Sequence, residues 1–194
     1  MQSICVFCGS NPGARLLFQE AAVAMGGAIA QRGMTLVYGG GKAGLMGHLA
    51  DAALAAGAEV IGVIPEFLVA KEISHDNLTQ LHIVESMHER KTKMATLADG
   101  FLALPGGYGT LEEFCEVLTW ANLGLHQKPC GLLNVDQYYD PLLAMFDRAM
   151  QENLVRVRMR SLVLTAETPD ALLHEMETYQ PQLVNQWLHR DSQI

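Results

Sequence analysis

Between Pro105 and Glu113 the chain reads PGGYGTLEE, which puts three glycines, a threonine and two adjacent carboxylates in nine residues. Glycines let the backbone approach a ligand closely and leave amides free for anionic oxygens. A helix opening near Thr110 adds its positive end to that loop. Gly107, Gly109 and Thr110 are then expected to offer amides and a hydroxyl to a phosphate, with Thr110 capping the helix. Glu112 and Glu113 fall in its first turn. Thr110 and Glu113 also have the T-x-x-E spacing of a capping box, which accounts for one glutamate as a helix-start device. It does not account for two carboxylates beside a loop suited to anions, so a functional carboxylate is the better reading.

Other residues suited to chemistry lie elsewhere in the chain. Upstream, the segment MHERK places Arg90 and Lys91 at the start of a helix, where positive charge is mildly unfavourable and calls for a negative neighbour. A bound phosphate and Glu113 are the two candidates. Two more glycine clusters follow predicted strands. Gly9-Ser10-Asn11-Pro12-Gly13 reads by itself as a helix-capping turn. GGGKAGLMG, Gly39 to Gly47, divides evenly between a structural turn and a ligand loop. It is not a Walker loop, because no Ser or Thr follows Lys42, and it fits a dinucleotide fingerprint poorly. Glu72, in the loop after Pro65, carries little weight alone.

These segments need a scaffold, and the sequence supplies a repeating one. Short apolar runs at Ser3–Cys8, Thr35–Tyr38, Glu59–Ile64, Leu81–Glu85, Gly100–Leu104, Cys130–Asn134 and Leu162–Thr165 read as strands. Several are apolar throughout, as expected of parallel strands buried on both faces. Helical patterns fall between them at Ala14–Arg32, Leu45–Ala56, Glu89–Ala98, Leu111–Gly124, Tyr139–Glu152 and Pro169–Tyr179. This alternation predicts an α/β fold, a Rossmann-like, doubly wound, mostly parallel sheet with helices on both faces. In such sheets ligands bind beyond the carboxyl ends of the strands, where all three glycine clusters fall. In the first helix, Leu17, Ala21, Ala24, Ala28 and Ile29 are expected to face the core. One domain is expected over residues 1–179, followed by a polar tail, 180–194, whose apolar Leu183–Leu188 segment packs on the body or on another subunit.

Composition narrows the class. The 194 residues are 49% hydrophobic and 18% charged, ordinary values for a globular domain. A formal charge of −8, with no run of Lys or Arg longer than two, argues against a nucleic-acid partner. No spanning apolar stretch or signal peptide is evident, so no membrane role and a cytoplasmic, reducing location are expected. Of the four cysteines, Cys5 and Cys8 form a C-x-x-C. In a strand, residues three apart point to opposite faces, so buried packing thiols are expected rather than a redox or metal pair.

The trio GGGKAGLMG, MHERK and PGGYGTLEE, in this order and at these separations, resembles the Lonely Guy family of cytokinin-activating phosphoribohydrolases, whose members were often labelled lysine decarboxylases. The resemblance runs from Ser3 to about Thr165. It implies hydrolysis of the N-glycosidic bond of an adenosine-type nucleoside 5′-monophosphate, releasing free base and ribose 5-phosphate, without metal or cofactor. It further implies that Arg90 and Glu113 are the catalytic pair, and that Glu72, Lys91, Gly107, Tyr108, Gly109, Thr110, Leu111, Glu112, Glu113 and Thr119 line the nucleotide site. Ser10, Gly40 and Gly41, from the other glycine clusters, join them as candidate contacts. A homodimer with its site near the interface is implied as well. A carboxylate beside the sugar suits this reaction, because breaking a ribosyl bond builds positive charge on the ring. Arg90 would orient Glu113 or bind the ribose phosphate. Two alternatives remain: a non-catalytic carrier of a nucleotide or molybdenum-cofactor-type ligand on the same fold, and a pyridoxal decarboxylase using Lys42, Lys91 or Lys93.

Overall fold

A computed structural model describes residues 1–69 and 74–181; Glu72 and the Leu183–Leu188 segment lie outside them. The strands are β1 (Ser3–Phe7), β2 (Thr35–Tyr38), β3 (Val60–Pro65), β4 (Gln80–Val84), β5 (Phe101–Ala103), β6 (Cys130–Leu133) and β7 (Val163–Ala166). They form one sheet in the order β4-β3-β2-β1-β5-β6-β7, and every pairing is parallel. The expected "mostly parallel" sheet is thus parallel throughout among the described residues. β1, β2, β3, β5 and β6 are buried almost end to end, which is why they read as unbroken apolar runs.

The helices are α1 (Leu16–Gln31), α2 (Gly44–Ala55), α3 (Glu66–Val69), α4 (Met87–Leu97), α5 (Tyr108–Asn122), α6 (Asp140–Gln151), α7 (Val157–Arg160) and α8 (Pro169–Thr178). One face of the sheet packs on α1, α2 and α8, around Ile4, Val6, Met25, Ile29, Leu49 and Leu172. The other packs on α4 and α5, with α6 and α7 beyond, around Phe7, Val37, Met94, Phe101, Phe114 and Leu132. Cys5 belongs to the second core and Cys8 to the first, and both are free thiols. The one-turn helices α3 and α7 were not expected; four residues are too few for a periodic pattern.

The buried face of α1 is rotated from the expected one. Ala22, Met25, Gly26, Ala28 and Ile29 are buried, whereas Ala24 faces solvent and Leu17 is half-buried. The cause is the partner helix: α1 and α2 approach so closely at Gly26 that a β-carbon there would lie 2.5 Å from the Leu49 carbonyl oxygen. Sequence periodicity gave no warning that a glycine would centre the contact.

The chain steps outward from β1 through β2 and β3 to the edge at β4. It then returns through α4 to β5, on the other side of β1. The carboxyl ends of β1 and β5 therefore flank the point where the winding reverses, the usual ligand position in such sheets.

Candidate active site

A cleft of about 560 Å³ opens at this reversal point. Its walls are the turn after β1, the start of α2, the first turns of α4 and α5, the loop between β5 and α5, and Tyr138 after β6.

Arg90 forms the floor. Ser86 caps α4 by accepting from the Glu89 amide at 3.1 Å, so the helix begins at Met87, two residues before the expected start, and Arg90 sits a full turn inside. The S-x-x-E pattern of Ser86 and Glu89 was the overlooked signal. The guanidinium is buried: Nε donates to the Val63 carbonyl at 3.0 Å and Nη2 to the Gly39 carbonyl at 2.9 Å. Arg90 thus ties together the ends of β2 and β3. Gly39 is a glycine because a β-carbon there would lie 2.1 Å from Nη2. Nη1 lies on the cleft side, 3.9 Å from Met87 Sδ and 3.8 Å from Glu113 Oε1.

Glu113 projects from α5 with its side chain only 12% exposed. Burial pushes its carboxyl up to about 7, and the attraction of Arg90 pulls the other way without prevailing. The geometry explains the outcome: the two groups are 3.8 Å apart and share no hydrogen bond, because two guanidinium nitrogens are already committed to backbone carbonyls. The neighbouring Glu112 is half-exposed and paired with Lys91 at 2.5 Å; Lys91 also meets Glu116 at 2.9 Å. Burial works against the Lys91 ammonium, but its bonds to Glu112 and Glu116 outweigh it and hold the group above the usual lysine range. Arg90 and Lys91 therefore have separate carboxylate partners, Glu113 for one and Glu112 with Glu116 for the other.

The start of α5 differs from expectation. Gly107, not Thr110, is the capping position, and no side chain caps it. Thr110 lies in the first turn, buried against Gly106, where a β-carbon would meet its Oγ1 at 2.1 Å. The capping box with Glu113 does not form, because both residues are already inside the helix. The amides of this end are left to whatever occupies the cleft.

Of the residues expected at the site, the cleft gathers Ser10, Arg90, Gly107, Tyr108, Gly109, Thr110, Glu112 and Glu113. Tyr108, at the rim, is 93% exposed. Lys91 and Leu111 do not line it; Leu111 packs toward the core and Lys91 is drawn to Glu112 and Glu116 of α5. Gly40 and Gly41 are also outside the lining, and Gly41 is bridged to Ser74. The GGGKAGLMG segment contributes Leu45 and Met46 instead. Gly44, at φ 62°, lets it dock under the first turn, since a β-carbon there would lie 2.3 Å from the Ser10 backbone. Thr119 is two turns further along α5, where it lines a separate hollow with Phe146, Val155 and Met159. Phe18, Met87 and Tyr138 were not anticipated. For Tyr138 the one signal in the sequence was its place past the carboxyl end of a predicted strand.

Residues 46–176 match the protein family described as "possible lysine decarboxylase". Among curated proteins, a probable cytokinin riboside 5′-monophosphate phosphoribohydrolase of Oryza sativa subsp. japonica is 52% identical over 91% of this chain and 79% of its own length. A cytokinin riboside 5′-monophosphate phosphoribohydrolase of Arabidopsis thaliana is 47% identical over 92% of this chain and 82% of its own. Among solved structures, the molybdenum cofactor binding protein of Rippkaea orientalis has a TM-score of 0.67 at 23% identity, covering 91% of this chain and 96% of that one. The molybdenum cofactor carrier protein of Chlamydomonas reinhardtii has a TM-score of 0.68 at 21% identity, with the same coverage. At these identities the two structures show a common fold.

Proposed function

The chain belongs to the Lonely Guy family of cytokinin riboside 5′-monophosphate phosphoribohydrolases, and from that premise we propose that it hydrolyses the N-glycosidic bond of adenosine-type nucleoside 5′-monophosphates. The products are the free base, in cytokinins an N6-modified adenine, and ribose 5-phosphate. The observation that carries this reading is Glu113, a buried carboxylate beside Arg90 and one turn from the uncapped amides of α5.

The phosphate sits at those amides, and its binding energy holds the ribose over Glu113. As the bond to the base lengthens, positive charge grows on the sugar ring, and the Glu113 carboxylate stabilises it. The same carboxylate takes the proton of the attacking water, for which a pKa near 7 is well matched, and that proton is then given up to the ring nitrogen of the departing base, which restores the carboxylate. Arg90, locked on Gly39 and Val63, keeps Nη1 facing Glu113 and the substrate. Adenine release from AMP and from isopentenyl-AMP, measured by chromatography, tests the assignment; a purified protein that releases base from neither substrate would sink it.

The site works as a homodimer. Thr119 stands away from its own chain's cleft, and the hollow it lines lies among elements that leave Met145, Leu154 and Val157 exposed. A second copy covering this face brings Thr119 to the partner's nucleotide. A pyridoxal-dependent decarboxylase fits poorly. Among the described residues no lysine lines the cleft, Lys42 is paired with Asp76, and Lys91 is held by two carboxylates, which is not the setting of a Schiff-base amine. Among the described residues, no helix is long and apolar enough to cross a membrane.

A further inference from the structure

The carbonyls that leave β5 toward the cleft are taken up one after another. Tyr139 Oη donates to the Leu104 carbonyl at 2.6 Å, the Gly9 amide to the Pro105 carbonyl at 3.2 Å, and Tyr138 Oη to the Gly106 carbonyl at 2.6 Å. In a trans peptide the N–H points opposite to the C=O of the same plane. Fixing the Gly106 carbonyl on Tyr138 therefore also fixes the Gly107 amide, which has no backbone acceptor among the described residues. A peptide between two glycines has little steric reason to keep one orientation. The hydroxyl of Tyr138 supplies that reason. The loop's acceptors are occupied and its donors are left over, and a phosphomonoester accepts hydrogen bonds where a bare carbonyl oxygen would repel it.

The turn that delivers Tyr138 is held against its own backbone preference. Asp136 and Gln137 have φ of 48° and 63°, two consecutive non-glycine residues in the left-handed region. The conformation is fixed from several sides. Arg15 pairs with Asp136, Asn134 Oδ1 accepts from the Tyr139 amide at 2.7 Å, and the Phe18 and Tyr138 rings meet edge-on at 5.6 Å. Strain that persists because its surroundings over-determine it points to a position worth keeping.

We infer that Tyr138 is a positioning residue for the phosphate end of the site, its hydroxyl holding the Gly106–Gly107 peptide so that the Gly107 amide stays free for a phosphomonoester. The inference rests on reading the start of α5 as that end, and it involves no contact between Tyr138 and the reacting bond. The experiment compares wild type with Tyr138→Phe, which removes only the hydroxyl from a side chain already 41% exposed. Calorimetric affinities are measured for ribose 5-phosphate and, separately, for adenine. Tyr138→Phe weakens ribose 5-phosphate about tenfold, the loss of one well-placed hydrogen bond, and leaves adenine unchanged. With AMP as substrate, KM rises by a similar factor while kcat holds. Unchanged ribose 5-phosphate affinity overturns the inference, as does equal weakening of both ligands, which would mark a general distortion. A wild type that does not bind ribose 5-phosphate overturns it too. The binding measurement needs no turnover, so a wild type that binds ribose 5-phosphate but releases no base refutes the hydrolase reading alone, and Tyr138 is still judged by the affinity ratio.

Discussion

Glu113 holds two opposing demands in one carboxyl. It is buried deeply enough to lose easy ionisation, yet the chemistry assigned to it needs the charged form. With its carboxyl near 7, kcat/KM is expected to fall as pH drops through about 7, because protonation removes the charge that stabilises the sugar cation. Glu113→Gln should eliminate base release at every pH. The same group sets a stability trend of known sign. Its pKa is higher folded than unfolded, so the native state keeps a proton that the unfolded chain gives up between about 4.5 and 7. Stability from this group is fully present below that window and declines as pH rises through it, by on the order of 3 kcal/mol. Denaturant titrations at pH 5 and pH 8 should show Glu113→Gln gaining on wild type at the higher pH; an equal difference at both would contradict the assignment. Arg90 behaves differently. Arg90→Ala removes the donors for the Gly39 and Val63 carbonyls as well as the partner of Glu113, and should cost about 3 kcal/mol in addition to activity. A thermal melt separates the two variants: Glu113→Gln leaves the midpoint at neutral pH no lower, and Arg90→Ala lowers it.

Among the elements, the turn between β6 and α6 departs furthest from local preference. Gln137 is exposed and left-handed, a conformation that glycine adopts without cost. Gln137→Gly should therefore stabilise the protein by about 1 kcal/mol, with no loss of activity, as read by chemical denaturation and an AMP turnover assay. A loss of stability would mean that the Gln137 side chain matters more than its backbone angle. The same turn shows what sequence reading could reach. Strands were legible because burial on both faces makes β1, β2, β3, β5 and β6 continuous apolar runs. The helices α4 and α5 were legible in existence but not in their starts. Ser86 and Gly107 cap them, and both starts fall before the charged residues Arg90, Lys91, Glu112 and Glu113. Arg90 and Glu113 were singled out by residue type and motif, and the fold brings both to one cleft. The commitment of Arg90 to two strand carbonyls was not legible, because it depends on two chain segments distant in sequence meeting at one guanidinium. Tyr138 escaped for the same reason, since its partner carbonyl lies 32 residues away.

For the whole molecule, the proposed dimer sets how one cleft relates to another. If Thr119 completes the partner's site, a mixture of Glu113→Gln chains and Thr119→Arg chains should recover activity that neither has alone. Random pairing would give about one quarter of the wild-type sites, since only the mixed dimer holds one intact Glu113 facing one intact Thr119. Activity absent from the remixed sample, with dimers verified by sedimentation, would place Thr119 in service of its own chain. Topology was legible only as a class: alternating strands and helices imply a parallel sheet, but not the order in which the strands lie. That order depends on which edge α4 crosses toward, a property of the assembled layers.

The order has a consequence for biogenesis. β1 takes β2 on one side and β5 on the other, with Cys5 opposite Phe101. A nascent chain on the ribosome can build the half-sheet of β1 to β4 while one flank of β1 stays open, and the sequence that closes it emerges about a hundred residues after β1. During that interval a buried-type, largely apolar strand presents unpaired backbone to its surroundings, the template on which chains aggregate. Chaperone dependence should therefore peak before β5 leaves the exit tunnel, and nascent chains stalled before Phe101 should be far more aggregation-prone than those released after it.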